Sequence, residues 1–488
     1  MISLSNTYAG LPGRFYAHVR PTGVAQPRML KFNHTLAAAL GLDAKELDSP
    51  AGAEIFSGNS VPGDLTPIAM AYAGHQFGGF SPQLGDGRAI LLGEVVDRNG
   101  VRRDIQLKGA GRTPYSRGGD GRAAIGPVLR EYLVSEAMHA LGIPTTRALA
   151  AVATGDSVYR ETVLPGAVLT RVAASHIRVG TFQFFAARGD EEGLRALADY
   201  VIARLYPDLA DREDRYLGLL KAVAGRQAAL VARWMHVGFI HGVMNTDNSS
   251  ISGETIDFGP CAFMDAYNPG TVFSSIDQGG RYQYQNQPGI AQWNLARLAE
   301  TLLPLIDADG EAAVEKANQA VVDFAGTFQT EWLDGLRRKI GLGNAEDDDG
   351  ALIQGLLDLM QKDRVDWTSA FRLLAKSADG EDTGFWRLFE DRAAADRWLS
   401  DWRQRLARDP DGERGRSSRM NRENPRYIPR NHLVEEALAA AAVDDDLRPF
   451  EALHAVLSAP YEDQGPDKLR YTEPAPRDGP IYRTFCGT

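Results

Sequence analysis

The chain has 488 residues, and at about 150 residues per domain that length points to about three cores or lobes and excludes one small domain. Hydrophobic residues at 44% and charged residues at 24% are the balance of a soluble globular protein, which excludes a disordered or fibrous chain. Lys and Arg number 53 against 64 Asp and Glu, a formal charge of −11, so no broad electropositive face for nucleic acid is expected and an anionic ligand must meet a local basic pocket.

The N-terminus, MISLSNTYAG, has no basic start followed by an apolar stretch. No apolar run reaches the roughly 18 residues that span a bilayer, and a cytoplasmic location with no membrane partner is expected. Residues 1–80 read as loop-rich with short apolar pieces. Ala89–Val96 and Arg103–Leu107 read as strands joined through Asp97–Gly100, where Asn-Gly is a good hairpin turn. Apolar residues at 125, 128, 129, 132, 133, 137, 140 and 141 follow a helical period that Gly142 and Pro144 stop. Ala148–Val152 and Val168–Val172 are strand-like. From about Glu191 the texture is helical through 290–340 and 351–407, with the acidic run Glu346–Asp349 read as a solvated loop. Asp409–Arg430 reads as an extended connector and Leu433–Val443 as a helix, while the last 30 residues look mostly irregular. Cys261 and Cys486 are too few for a disulfide framework or a structural zinc site and are read as thiols.

The chemistry concentrates in His241-Gly-Val-Met-Asn-Thr-Asp-Asn248, followed nine residues later by Asp257-Phe-Gly259. A helix is expected to enter this run, and a short strand, Glu254–Ile256, to lead out of it. Asn248 and Asp257 are oxygen ligands suited to a hard cation such as Mg²⁺ completed by phosphate oxygens. Asp247, if it stands free of that ion, can take a proton from an attacking hydroxyl. Upstream, Gly85-Asp-Gly-Arg88 precedes one strand and Lys108 ends the next, an arrangement of glycine backbone and fixed positive charge that suits phosphates. A helix carboxylate should hold Lys108. Glu131 and Glu136 are the two choices, and the apolar face of the helix favours Glu136. Arg171 and Arg178, embedded in apolar segments, need anionic partners: phosphate, bound bidentately, or surface ion pairs. The Gly118–Arg122 loop reads as a second phosphate-side loop.

A strand lysine, a helix glutamate, His-Gly…Asn and Asp-Phe-Gly in this order resemble the protein-kinase-like fold, above all its aminoglycoside-kinase branch. One position departs: Val243 stands where that pattern carries its base aspartate. A wider set resembles the selenoprotein O family of protein adenylyltransferases: residues 72–89, 106–123, 130–149, 170–180, 241–248, 256–267 and 428–438.

The resemblance implies an α+β, kinase-like bilobal fold. Its parts would be an N-terminal extension (1–80), a β-rich N-lobe (81–185), a helical C-lobe (186–290) and a further helical region with a tail (291–488). It implies an enzyme that holds ATP in a flipped orientation and transfers AMP, with UMP as a variant, to Ser, Thr or Tyr hydroxyls of proteins. Asp247 would accept the proton, and Asn248 and Asp257 would bind Mg²⁺ or Mn²⁺. Gly85, Gly87, Arg88, Lys108, Asp120, Gly121, Arg171 and Arg178 would contact the nucleotide, and Glu131 would pair with Lys108. Some family members carry selenocysteine near the C-terminus, where this chain has Cys486, and a redox link to Cys261 is left open. A kinase acting on a hydroxyl and a non-catalytic pseudokinase scaffold are the alternative functions.

Overall fold

The computed structural model describes residues 2–63, 66–410, 412–476 and 482–485. One antiparallel sheet organises the first third of the chain. Its strands are β1 (Tyr16–His18), β2 (Arg28–Phe32), β3 (Ile68–Met70), β6 (Ala89–Val96), β7 (Arg102–Lys108), β8 (Ala123–Ala124), β9 (Arg147–Tyr159) and β10 (Val163–Ala173). The remaining strands are short: β4 (Gly74–Gln76) pairs with β5 (Gly79–Ser81), and β11 (Phe239–Ile240) with β12 (Ala262–Phe263). The main sheet runs β1-β3-β6-β7-β10-β9-β2, with β8 also on β10. Residues 1–80 are therefore less loop-like than their sequence reads, because three of their short segments find strand partners far along the chain.

The β6–β7 hairpin forms where Asn-Gly predicts it. Gly100 takes φ +78°, and Asp97 Oδ1 accepts from the Asn99 and Val101 N–H groups, so an aspartate side chain closes the turn. Pleat alternation then sorts the two faces of the sheet. Ile105, Leu107, Val168 and Val172 join Phe32, Leu36 and Phe56 in a core on one side. On the other side Lys108 lies opposite Leu169, and Gln106 opposite Arg171, so Lys108 and Arg171 share one face.

The helix Ile125–Ala140 packs on that second face and ends at Gly142, whose φ of +75° suits glycine. The helices Asn431–Val443 and Arg448–Leu457 return from the end of the chain to close a core around it. Glu191–Leu205, Arg215–His236, Gln287–Ile306 and Gly310–Lys339 build the large helical core, to which Asp349–Lys362, Trp367–Ser377 and Arg392–Leu406 add. Among the described residues no helix is long and apolar enough to cross a membrane.

Two readings of this region change. Asp409–Arg430 contains a helix, Arg416–Glu423, in which Arg416 and Met420 are buried. The acidic run is not a solvated loop throughout, because Asp349 is fully buried and starts a helix, with Arg337 and Arg405 on its carboxylate.

Candidate active site

The helix Arg215–His236 delivers the chain to β11, and residues 241–248 follow as a loop ending in a single 3-10 turn, Thr246–Asn248. Pairing of β11 with β12 folds the Asp257 segment back beside it. The expected strand before Asp257 is reduced to one bridge, Thr145 to Thr255. His241 ties the two segments together: its Nε2 lies 2.9 Å from the Ile256 carbonyl, and its Nδ1 accepts from the Val243 N–H. Burial lowers its pKa, so the ring is neutral, as those two bonds require.

Asp257 has φ +66°, an uncommon conformation for a non-glycine residue, held here by cations on three sides. Lys108 Nζ lies 3.0 Å from its Oδ1, Arg171 donates to the same oxygen, and Arg178 reaches Oδ2 at 3.5 Å. Burial alone would raise this carboxyl, but Arg171, Lys108 and Arg178 hold it well below the ordinary carboxylate range. Glu131 completes the cluster, 2.7 Å from Lys108 Nζ and bonded to Arg171 Nε. Its carboxyl would also rise on burial and is kept low by Arg171 and Lys108.

The choice between the two helix glutamates thus falls to Glu131. Glu136 is buried, as the apolar face of the helix indicated, but it belongs to Arg147 at 2.6 Å and to Asn33 at 2.7 Å. Arg171 and Arg178 find their anions in interior carboxylates. Arg178 also donates to the Asp247 carbonyl at 3.1 Å and approaches Asp86 at 3.8 Å.

Asp247 differs from its neighbours. Gln76 Nε2 donates to its Oδ2 at 3.1 Å, while its buried Oδ1 has no hydrogen-bond partner in the structure. Burial pushes its pKa up to about 6 against the opposing effects of Gln76 and Arg178. The backbone of β4 passes so close that a Cβ on Gly74 would stand 3.0 Å from Oδ1. Asn248 donates through Nδ2 to the Val243 carbonyl at 3.0 Å, so its side-chain carbonyl oxygen is the atom that could ligate a cation. Val243 occupies the position of the absent aspartate and is buried.

A cleft of about 430 Å³ gathers most of the residues singled out from sequence: Gly85, Gly87, Arg88, Lys108, Asp120, Gly121, Arg178, Asp247, Asn248 and Asp257. Arg171 and Glu131 stand one layer behind, buried on Asp257 and Lys108. Asp120 faces the cleft paired to Arg160 at 2.8 Å, and it also caps the Arg122 N–H. Gly85 and Gly121 both have positive φ, and a Cβ on Gly121 would fall 2.1 Å from the Gly111 carbonyl oxygen, so only glycine fits this crossing.

Three positions were not singled out from sequence. Gln76 touches Asp247. Asp86 is buried and accepts from the Met70 N–H and from Gln106. Asp104 holds both the N–H and the ring of His176, whose carbonyl accepts from Arg178 Nε. Asp86 was in view between two glycines, but nothing local marks a buried acid there.

Among the described residues no cluster of three or more His, Cys, Asp or Glu could hold a metal by itself. Asn248 and Asp257 nevertheless suit a hard cation that draws its other ligands from phosphate and water, since Asp257 Oδ2 carries only the long contact to Arg178 and the Asn248 side chain is engaged through its Nδ2. Cys261 is a buried free thiol that burial pushes up to about 12, so it is unreactive as it stands. Cys486, and with it the link considered between the two cysteines, lies outside the described residues.

Residues 2–458 match the family described as "Protein adenylyltransferase SelO". The chain belongs to that family. A relative from Rhizobium meliloti (strain 1021), named protein nucleotidyltransferase YdiU, is 64% identical over 485 residues, covering 99% of this chain and 99% of its own. Relatives of the same name from Agrobacterium fabrum and Bradyrhizobium sp. (strain ORS 278) are each 60% identical, over 488 and 484 residues, and cover 98% or more of both sequences.

Proposed function

We propose that this chain, a nucleotidyltransferase by its family, moves AMP from ATP to Ser, Thr or Tyr hydroxyls of proteins, with UMP transfer as a variant. The observation that carries this reading is the exchange of bases in one loop. Val243 removes the carboxylate a hydroxyl kinase would use, and Asp247, which lines the cleft and keeps one carboxylate oxygen without a hydrogen-bond partner, supplies another. A kinase-like bilobal arrangement is part of the proposal. The Lys108–Glu131 pair across strand and helix supports it, as does the Asp257-Phe-Gly259 turn beside that pair.

The triphosphate lies in the flipped orientation, its tail toward Lys108 and Arg178, with Glu131 holding Lys108 and Arg171 from behind and Arg171 holding Asp257. The Asp247 carboxylate accepts the proton of the acceptor hydroxyl. The hydroxyl oxygen forms a new bond to the α-phosphorus, the bond from that phosphorus to the α–β bridging oxygen breaks, and pyrophosphate leaves with the electron pair. A carboxyl with a pKa of about 6 is largely ionised at neutral pH and a stronger base than an ordinary aspartate. Asn248 and Asp257 would hold Mg²⁺, or Mn²⁺, whose charge lowers the cost of negative charge building on the phosphates. Gly85, Gly87 and Gly121 let the backbone approach the nucleotide, and Arg88 and Asp120 border it.

The test is to incubate the protein with Mg²⁺ and ATP labelled at either the α- or the γ-phosphate. Label from the α-position alone, and an intact-mass adduct of AMP, are expected. Transfer of γ-label would establish a kinase, and no transfer of either label would leave a nucleotide-binding scaffold.

A further inference from the structure

Among the described residues only three phenylalanines are exposed, and two of them, Phe77 (38%) and Phe80 (43%), sit on the β4–β5 hairpin that also carries Gln76 against Asp247. Gln76 pairs with Gly79, so the turn is the dipeptide Phe77-Gly78, and both residues have positive φ, at +52° and +86°. Asparagine or glycine would hold such a turn without strain. A phenylalanine persists there only because its surroundings fix it: its N–H lies 3.1 Å from both Asn245 Oδ1 and the Tyr282 hydroxyl, and its ring packs 5.0 Å from that of Tyr282. Phe80 is fixed in the same way, 4.8 Å from the His75 ring, which itself packs on Trp293.

Across the mouth of the cleft stands Ile276, 56% exposed, in the loop that Asp277 closes by accepting from the Arg281 and Tyr282 N–H groups. Arg281 packs over Tyr282 and Trp293, and no described carboxylate lies within ion-pair distance of it. Phe77 and Ile276 thus line the cleft that holds Asp247, and Arg281 stands beside the Phe77-Gly78 turn, 3.7 Å from where a Cβ on Gly78 would lie, whereas Phe80, paired with His75, is on the hairpin face opposite Gln76.

We propose that this rim docks the acceptor polypeptide. It takes an extended segment that places an apolar side chain, within a few residues of the modified hydroxyl, between Phe77 and Ile276, and a carboxylate near Arg281. This rests on the transfer reading above. Its support is continuity with the cleft, since Phe77 and Ile276 line it directly, together with the charge that Arg281 leaves unanswered. Apolar anchors in preformed pockets carry much of the energy of such contacts, and a fixed rim lowers the ordering cost.

The probe is a set of short peptide pools with a fixed central Ser, Thr or Tyr and one fixed neighbour (Phe, Leu, Ala, Asp or Lys), labelled from α-labelled ATP. Pools bearing Phe or Leu should be labelled about tenfold faster than those bearing Lys. Ile276→Ser should erase most of that preference while the dissociation constant for ATP, read by calorimetry, stays at the wild-type value. Phe77→Asn, which suits the positive φ and so preserves the turn, should erase it as well. A wild type without apolar preference, or variants that keep it, would overturn the docking surface. A weakened ATP affinity in Ile276→Ser with the preference intact would reassign the rim to the nucleobase and overturn it too. If no pool is labelled while the protein still labels itself, docking fails and transfer stands; if neither is labelled, transfer fails and docking with it.

Discussion

Asp349, in the C-terminal helices, and Asp247, on the floor of the cleft, are both buried carboxylates, and their surroundings treat them in opposite ways. Asp349 is saturated: Oδ1 accepts from Arg405 at 2.7 Å, and Oδ2 accepts from Arg337 and from the Glu346 N–H, each at 2.8 Å. Burial would raise it, but those bonds hold it below the ordinary range. Asp247 receives one neutral donor, keeps one oxygen bare and is pushed up to about 6. A carboxylate that only holds helices together is given every partner it can use, whereas the one proposed to take a proton is left short. That shortage costs stability in the resting protein, since a buried oxygen without a donor loses its water and gains nothing in return.

The largest effect should come from breaking the saturated site. Asp349→Asn removes the charge that Arg405 and Arg337 were buried against, and denaturant unfolding should show a loss of about 3–5 kcal/mol. Transfer measured per folded molecule should be unchanged; a matching loss of activity would mean that the two regions are coupled.

Next comes the cation that faces the nucleotide. Lys108→Ala should lower the transfer rate by about 10²–10³, the range for removing one preorganised electrostatic group. An equal fall in nucleotide affinity with an unaltered maximal rate would assign Lys108 to ground-state binding instead. Smaller still is the response to pH. Asp247 works only when ionised, so the rate with saturating ATP should be level above about pH 7 and fall about tenfold per unit below its pKa of about 6. A profile that is flat down to about pH 5 would exclude this carboxyl as the base.

Local pattern explains what was legible. The β6–β7 hairpin and the helix from Ile125 follow from a turn dipeptide and a helical period, both of which act over a few residues. Lys108, Asp247, Asn248 and Asp257 stand out in the sequence because polar residue types of one kind recur at close spacing, and all four line one cleft. Burial was legible at Glu136, but partnership was not: the apolar face marks a buried carboxylate without saying that Arg147 answers it while Glu131 answers Lys108. The strands β1, β2 and β3 are three to five residues long and owe their form to partners distant in sequence, so no local period announces them. Asp349 is likewise visible in sequence only as part of an acidic run, since Arg405 lies more than 50 residues away.

The most direct test of the contrast is the unfolding free energy of Asp247→Asn beside that of the wild type, at about pH 7.5 and about pH 5. The folded pKa of Asp247 lies above its unfolded value, so the native state binds the proton more tightly and the penalty of the ionised form grows as pH rises. The amide variant should therefore be inactive yet more stable than wild type by about 2–3 kcal/mol at the higher pH. That advantage should shrink by about 1 kcal/mol at the lower pH. A variant that is inactive and less stable, or whose stability difference ignores pH, would show that Asp247 is a paired structural carboxylate like Asp349 and not the base.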